Sequence, residues 1–336
     1  MDMTFIYASI LSLVLGLLIG YPVIFIMRKL KAKQSILKYV DIHEGKSGTP
    51  TIGGIIFILP ALLSALIFFY DVPMVVVSVC VMFSYGLVGF LDDFIKIYHH
   101  ENQGLKAYQK IIAQAGIAII VSLYCYYDAN IGGSLIIPFT DIVVDIDYWI
   151  IPLVFIFFIA ITNATNLIDG LDGLCTSVSS VMYAFLGIAF LILALNYKYL
   201  GNVIDYNNIY GLSGFSMAMF GGLIAFLCYN CFPAKIFMGD TGSLAIGGGL
   251  ACLFAFSQEL LLVFILGLML IVTCLSVIMQ VVYFKITKGK RIWLMSPLHH
   301  HYQYKGVHEN KIVLVYTMIT IVMGFICLIS VIMGVF

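Results

Sequence analysis

Apolar runs of about 17 to 25 residues follow one another along the whole chain, and a run of that length is what a helix needs to cross about 30 Å of hydrocarbon. Inside lipid no water satisfies a free backbone N–H or C=O, so such runs fold as α-helices. The chain is therefore expected to be an all-α, polytopic integral membrane protein. Spans fall at 4–27, 52–70, 73–91, 111–127, 148–165, 178–196, 211–229, 242–257, 259–283 and 312–335, about ten in all. Only 10% of the residues are charged, against about a quarter in a soluble domain. No stretch between spans is long enough to fold alone, so residues 1–336 read as a single transmembrane domain. The first run, Phe5 to Met27, is too long for a signal-peptide core and has no basic region before it, so it reads as a retained span.

Charge fixes the orientation. With ten spans, the connections after the odd-numbered helices share one face and hold 16 of the 17 Lys and Arg residues, leaving Lys198 alone opposite. Basic residues are retained on the cytoplasmic side, so these connections are cytoplasmic and both termini face outward. The formal net charge of +0 gives no field that would attract nucleic acid. The eight cysteines lie mostly within apolar runs and read as packing residues. The Cys228/Cys231 spacing, without a second pair, makes a weak zinc motif. The outward connections, including Asp128 to Asp147, read as simple connectors.

The unusual polar residues collect in the five cytoplasmic segments. The first, GKSGTPTIGG (Gly45 to Gly54), brings Lys46 and Thr51 to a glycine-rich stretch before a helix, which suits a phosphate or an ordinary helix cap. The second begins with Asp92 and Asp93 directly after the run ending at Leu91, with Lys96 following and Lys110 further on. Adjacent carboxylates at a bilayer exit repel, and a cation or a shared proton would relieve them. The third, NATNLIDGLDGL, places Asn163, Asn166 and Asp169 on one face of a continuing helix, followed by Gly170, Leu171 and Asp172. The fourth holds Asn230 and then KIFMGDTGS, where Phe237 precedes a turn bearing Asp240 and Ser243. It lacks the GxxxxGK[ST] string of a P-loop. The fifth is SPLHHHYQ, in which His299, His300 and His301 read as partly charged phosphate donors more readily than as a zinc site. Oxygen ligands suit a hard cation such as Mg²⁺, and Lys and His supply opposite charge. Together they form the equipment of phosphoryl transfer at a membrane surface.

TPTIGG, GFLDDFIK, NATNLIDGLDGL, FMGDTGS and SPLHHHYQ, in that order, resemble the polyprenyl-phosphate N-acetylhexosamine-1-phosphate transferase superfamily over essentially the whole chain. The triple histidine favours its muramoyl-pentapeptide branch. The resemblance implies a Mg²⁺-dependent enzyme of the bacterial inner membrane, active at the cytoplasmic face. It would transfer a phosphosugar from UDP-N-acetylmuramoyl-pentapeptide to undecaprenyl phosphate, giving lipid I and UMP in peptidoglycan synthesis. It further implies Asp240 as metal ligand with Asn166 beside it. Asp92, Asp93 and His299 would join Asp240 as catalytic groups, with either member of the acid pair accepting the lipid-phosphate proton.

The same resemblance gives Lys46, Thr51, Lys96 and Lys110 to phosphate or substrate. Asn163, Asn166, Asp169, Asp172, Asn230 and Ser243 would line the nucleotide side with His300 and His301. Gly170 and Leu171 would flank the uridine, Phe237 would stack on uracil, and span 259–283 would be bent. A basic position expected just after Gly104-Leu105 falls on Tyr108, between Lys106 and Lys110. The alternatives are the UDP-N-acetylglucosamine branch and, from another class, a transporter or flippase, which would need ionisable groups near the midplane. A homodimer is as open as a monomer.

Overall fold

The computed structural model describes residues 3–30, 48–99 and 104–335. In chain order the helices are α1 (Thr4–Lys29), α2 (Ile55–Phe69), α3 (Pro73–His99), α4 (Ala107–Tyr127), α5 (Ile150–Ile168), α6 (Leu174–Tyr199), α7 (Val203–Asn230) and α8 (Gly239–Phe256). They continue as α9 (Val263–Leu266), α10 (Leu268–Ile286), α11 (Leu298–Tyr304) and α12 (Glu309–Val335). Among the described residues, nine helical segments are long and apolar enough to cross a membrane, and the shorter α2 is a tenth apolar helix. The protein is a multi-pass, all-α membrane protein.

Several helices outrun the apolar stretches that announced them. α3 continues to His99 instead of stopping at Leu91, and α7 starts at Val203 instead of 211. Backbone hydrogen bonding needs no apolar side chain, so a helix can project beyond hydrocarbon carrying polar residues. The span at 259–283, which the resemblance implied would be bent, is interrupted near its start. A 3₁₀ turn at Leu260–Leu262 leads into α9, and α10 begins after Gly267, whose φ of −85° and ψ of 11° leave the helical region. The connection at 128–147 is more than a linker, because Ser134–Ile136 (β1) pairs antiparallel with Val143–Asp145 (β2), Leu135 opposite Val144.

The contacts at the two ends agree with the parity of the charge count. Phe5 at the start of α1 meets Tyr210 near the start of α7, and Phe69 at the end of α2 meets the same ring. The Phe139 N–H in the hairpin loop donates to Ser330 Oγ near the end of α12 at 2.8 Å. The strongly polar motifs gather at the opposite end.

At the centre stands α8, whose window is almost wholly buried although its sequence is the least apolar of the spans. Its Gly247-Gly248-Gly249 triplet lets three neighbours come close: α5 at Thr162, α3 at Tyr85 and α6 at Tyr183. Small residues at such crossings let helix backbones approach, which drives packing where lipid removes the hydrophobic contrast. A Cβ at Gly248 would lie 2.7 Å from Cδ2 of the fully buried Tyr85 ring. Gly248→Val is therefore expected to destabilise the protein by about 1–3 kcal/mol, the usual cost of overpacking, read as a lower melting temperature in detergent.

Candidate active site

Asp92 and Asp93 lie within α3, not beyond its end, and both are buried. The repulsion expected between them is answered largely by backbone. Asp93 caps α8 from another helix: its Oδ1 accepts the Asp240 N–H at 3.1 Å, and its Oδ2 accepts the Thr241 N–H at 2.9 Å and the Thr241 hydroxyl at 2.7 Å. These are otherwise orphaned donors at a helix N-terminus, where a negative charge is also favoured by the helix dipole. Gly89 lies three and four residues before the acid pair on α3 and faces the Asp240 backbone so closely that any Cβ would collide with it. That glycine is the signal in GFLDD that sequence reading left unused.

Asp240 accordingly sits in the first turn of α8 instead of in a free turn. Its Oδ2 receives Lys96 and Lys110, each at 2.9 Å, and its Oδ1 accepts from Asn166 Nδ2 at 2.7 Å. Lys96 also reaches Asp92 Oδ2 at 2.5 Å, while Asp92 Oδ1 accepts the Leu105 N–H at 2.8 Å. Asn166 donates in addition to Ser243 Oγ at 2.9 Å. Four helices thus deliver Asp92, Lys96, Lys110, Asn166, Asp240 and Ser243 to one place. Tyr108, where a basic position was expected, is exposed, and Lys110, two residues further along α4, is the residue whose ammonium reaches Asp240.

The three carboxylates Asp92, Asp93 and Asp240 each offer an oxygen, and these oxygens lie within 4.8 Å of one another. Every one of these donors is a carboxylate oxygen, and the three acids stand close enough to share one cation. That set fits a hard divalent cation. Asp93 contributes least to such a set, because both of its oxygens already hold α8.

The helical face expected for Asn163, Asn166 and Asp169 does not form as a unit. α5 ends at Ile168, and Asp169 is its C-cap with φ −77° and ψ 51°. Asn163 is turned away and donates to Gln114 Oε1 at 2.7 Å and to the Ile159 carbonyl. Asp169 receives no side-chain or backbone donor among the described residues. Desolvation first, then the charges of Asp240, Asp93 and Asp172, push its carboxyl well above the usual range.

The remaining candidates build the walls. Gly53 N–H donates to the Phe237 carbonyl, Gly54 N–H to the Met238 carbonyl and Phe237 N–H to the Pro50 carbonyl, at 2.8 to 3.0 Å. This short ladder ties the TPTIGG segment, with Thr51 buried, to FMGD and leaves the Phe237 ring half-buried. Asn230 is a structural lock here: its amide donates to the Ile236 carbonyl and its Oδ1 accepts from Thr176. Leu171 is buried, and Asp172 Oδ2 accepts the Ala234 N–H at 3.0 Å. Lys46 lies outside the described residues.

The three histidines do different things, contrary to a shared role as charged phosphate donors. His299 is fully buried, its two ring nitrogens have no partner among the described residues, and Nε2 packs onto Gly170. Burial and then the His300 charge hold its imidazole well below the usual range, so it is neutral. His300 Nδ1 pairs with Gln303 Oε1, and His301 Nδ1 accepts the Leu294 N–H at 3.1 Å.

The family model described as "Glycosyl transferase family 4" matches residues 74–258. The chain is 41% identical to a phospho-N-acetylmuramoyl-pentapeptide-transferase of Clostridium botulinum, covering 97% of each chain. It is 38% identical to one of Clostridium novyi, again over 97% of each, and 39% identical to one of Caldanaerobacter subterraneus over 96% of each. The chain belongs to the phospho-N-acetylmuramoyl-pentapeptide transferase family. For a member of this family, the polar end of the bundle is the place to look for transfer chemistry, since all five resemblance motifs lead there.

Neutral, buried His299 makes a pH prediction. A base whose folded-state pKa is depressed adds no penalty above the unfolded value, and stability is lost as pH falls below it. Between about pH 6.5 and pH 5 the loss is at most about 1.4 kcal/mol per pH unit. Melting temperatures measured from pH 7.5 to 5 should fall more steeply for the wild type than for His299→Phe. Parallel slopes would show that the ring titrates freely.

Proposed function

We propose that this chain transfers phospho-N-acetylmuramoyl-pentapeptide from its UDP conjugate to undecaprenyl phosphate, giving lipid I and UMP at the cytoplasmic face of the bacterial inner membrane. The whole chain acts as one catalytic domain. The observation that carries this reading is the meeting of Asp92, Asp240, Lys96, Lys110 and Asn166 at the polar end of the bundle. The names of relatives matched over nearly their full length supply the phospho-N-acetylmuramoyl-pentapeptide group, and the motif resemblance supplies the lipid phosphate.

In the proposed reaction a lipid-phosphate oxygen attacks the sugar-bearing phosphorus of the UDP conjugate. A new P–O bond forms as the bond from that phosphorus to the bridging oxygen breaks, and the bridging oxygen leaves with UMP. Asp92 accepts the lipid-phosphate proton; Asp93 is less suited, because its oxygens are engaged by α8. Lys96 and Lys110 lie within reach of phosphate oxygens and neutralise them. Asp240 and the Asn166 side-chain oxygen would hold Mg²⁺, which when bound withdraws charge from the pyrophosphate. Asp169, Gly170 and Leu171 line the nucleotide side, and the half-buried Phe237 ring offers a face to uracil.

The deciding experiment follows radiolabel from the UDP-sugar into the lipid fraction with purified protein, Mg²⁺ and undecaprenyl phosphate. Labelled lipid and UMP should appear together. Label that enters lipid only from UDP-N-acetylglucosamine would move the enzyme to the neighbouring branch, and transport without lipid labelling would make it a carrier. Asp240→Ala should lose turnover by at least about a hundredfold, the scale for removing a group that stabilises developing charge, while melting as a folded protein. Normal turnover of that variant at limiting Mg²⁺ would remove Asp240 from the metal site. A covalent sugar-phosphate trapped on Asp92 or Asp93 would replace direct displacement with a two-step route.

A further inference from the structure

Glu309 opens α12 and is buried with Asp172, although neither belongs to the acidic cluster around Asp240. Its Oε1 accepts the Asp172 backbone N–H at 2.6 Å. The Asp172 side chain continues the line, Oδ2 accepting the Ala234 N–H at 3.0 Å. Three segments far apart in sequence are thereby joined in series: the first turn of α12, the turn between α5 and α6, and the connection between α7 and α8. The His308 ring, one residue before Glu309, meets the Phe232 ring edge-on at 5.3 Å, a second and independent contact between the start of α12 and the α7–α8 connection. Further along α12, Tyr316 faces the His299 ring at 6.4 Å, and His299 packs onto Gly170 in the same α5–α6 turn.

A buried carboxylate aimed at a backbone N–H is a costly way to hold a turn unless the position of that turn matters. We propose that Glu309 is a positioning residue for nucleotide binding. It clamps the Asp169–Asp172 turn through the Asp172 N–H and, through Asp172, sets the 231–238 connection that carries Phe237. The inference rests on the nucleotide role given above to this turn, but the clamp itself is tested without it. Glu309 touches no reacting atom, so its loss acts on affinity for the nucleotide and leaves the chemical step nearly intact.

Full-length Glu309→Leu and Glu309→Gln are compared with wild type in two measurements. Gln keeps an oxygen that can accept the Asp172 N–H, while Leu keeps the bulk and removes the acceptor. In backbone hydrogen exchange read by mass spectrometry, the peptide containing Asp169–Asp172 should exchange faster in Glu309→Leu and at the wild-type rate in Glu309→Gln. In the UMP-release assay, the KM for the UDP-sugar should rise about tenfold in Glu309→Leu, the effect of about 1.4 kcal/mol of lost binding. Its kcat should stay within about threefold of wild type, which on the transition-state scale is under about 1 kcal/mol, and Glu309→Gln should restore the wild-type KM.

Unchanged exchange in Glu309→Leu would overturn the clamp. Altered exchange with an unchanged KM would overturn its link to the nucleotide. Absence of any wild-type turnover would defeat the transferase reading instead, with the exchange result still deciding the clamp. If Glu309→Leu cannot be obtained folded, Glu309→Asp, which withdraws the acceptor by one methylene, is held to the same two readouts.

Discussion

The polar end of the molecule depends on one contact: the N-terminus of α8 docked against α3 by the carboxylate of Asp93. Two backbone N–H groups and a hydroxyl converge on that side chain. Gly89 leaves the space for the approach. This contact sets the height and direction of Asp240, one residue into α8, and therefore the point where Lys96, Lys110 and Asn166 meet. A buried charge is tolerable here because a helix N-terminus supplies both donors and a favourable dipole.

Around that contact the helices divide the work. α8, threaded through the middle, carries small residues along its length so that α3, α5 and α6 can crowd against it. Among the described residues, the connections at the polar end are held chiefly by backbone pairing and buried side chains. The ladder between TPTIGG and FMGD, the Asn230 lock and the Glu309–Asp172 bond each join segments that are distant in sequence. Rigid walls of this kind suit a site whose chemistry is mainly positioning and charge neutralisation.

Much of this was legible before any coordinates. Length and apolarity of the runs set the fold class, and the one-sided distribution of Lys and Arg set the face on which the motifs lie. The motif strings identified Asp92, Lys96, Asn166, Asp240 and Ser243, the family resemblance added Lys110, and the structure brings these together. Helix ends were less legible, because a helix projecting past hydrocarbon no longer shows an apolar pattern, as α3 does beyond Leu91. Asn163 shares the spacing of Asn166 and yet faces Gln114, since helical spacing defines a face but not the partner on the other side. The triple histidine reads as one motif, whereas burial makes its first ring neutral and leaves His301 to serve the backbone of its own loop.

The sequence alone determined that the chain is a membrane bundle, which face bears the polar motifs, and which residue types are available there. These follow from local properties: the length of an apolar run, the sign of a side chain and the cost of an unpaired backbone group in lipid. Only the tertiary structure decided that two adjacent aspartates have different tasks, Asp93 fastening a helix and Asp92 facing Lys96. It alone joined Glu309 to a turn more than a hundred residues earlier in the chain. Hydrogen bonds across such separations depend on where whole helices come to rest, and no local pattern in the sequence records that.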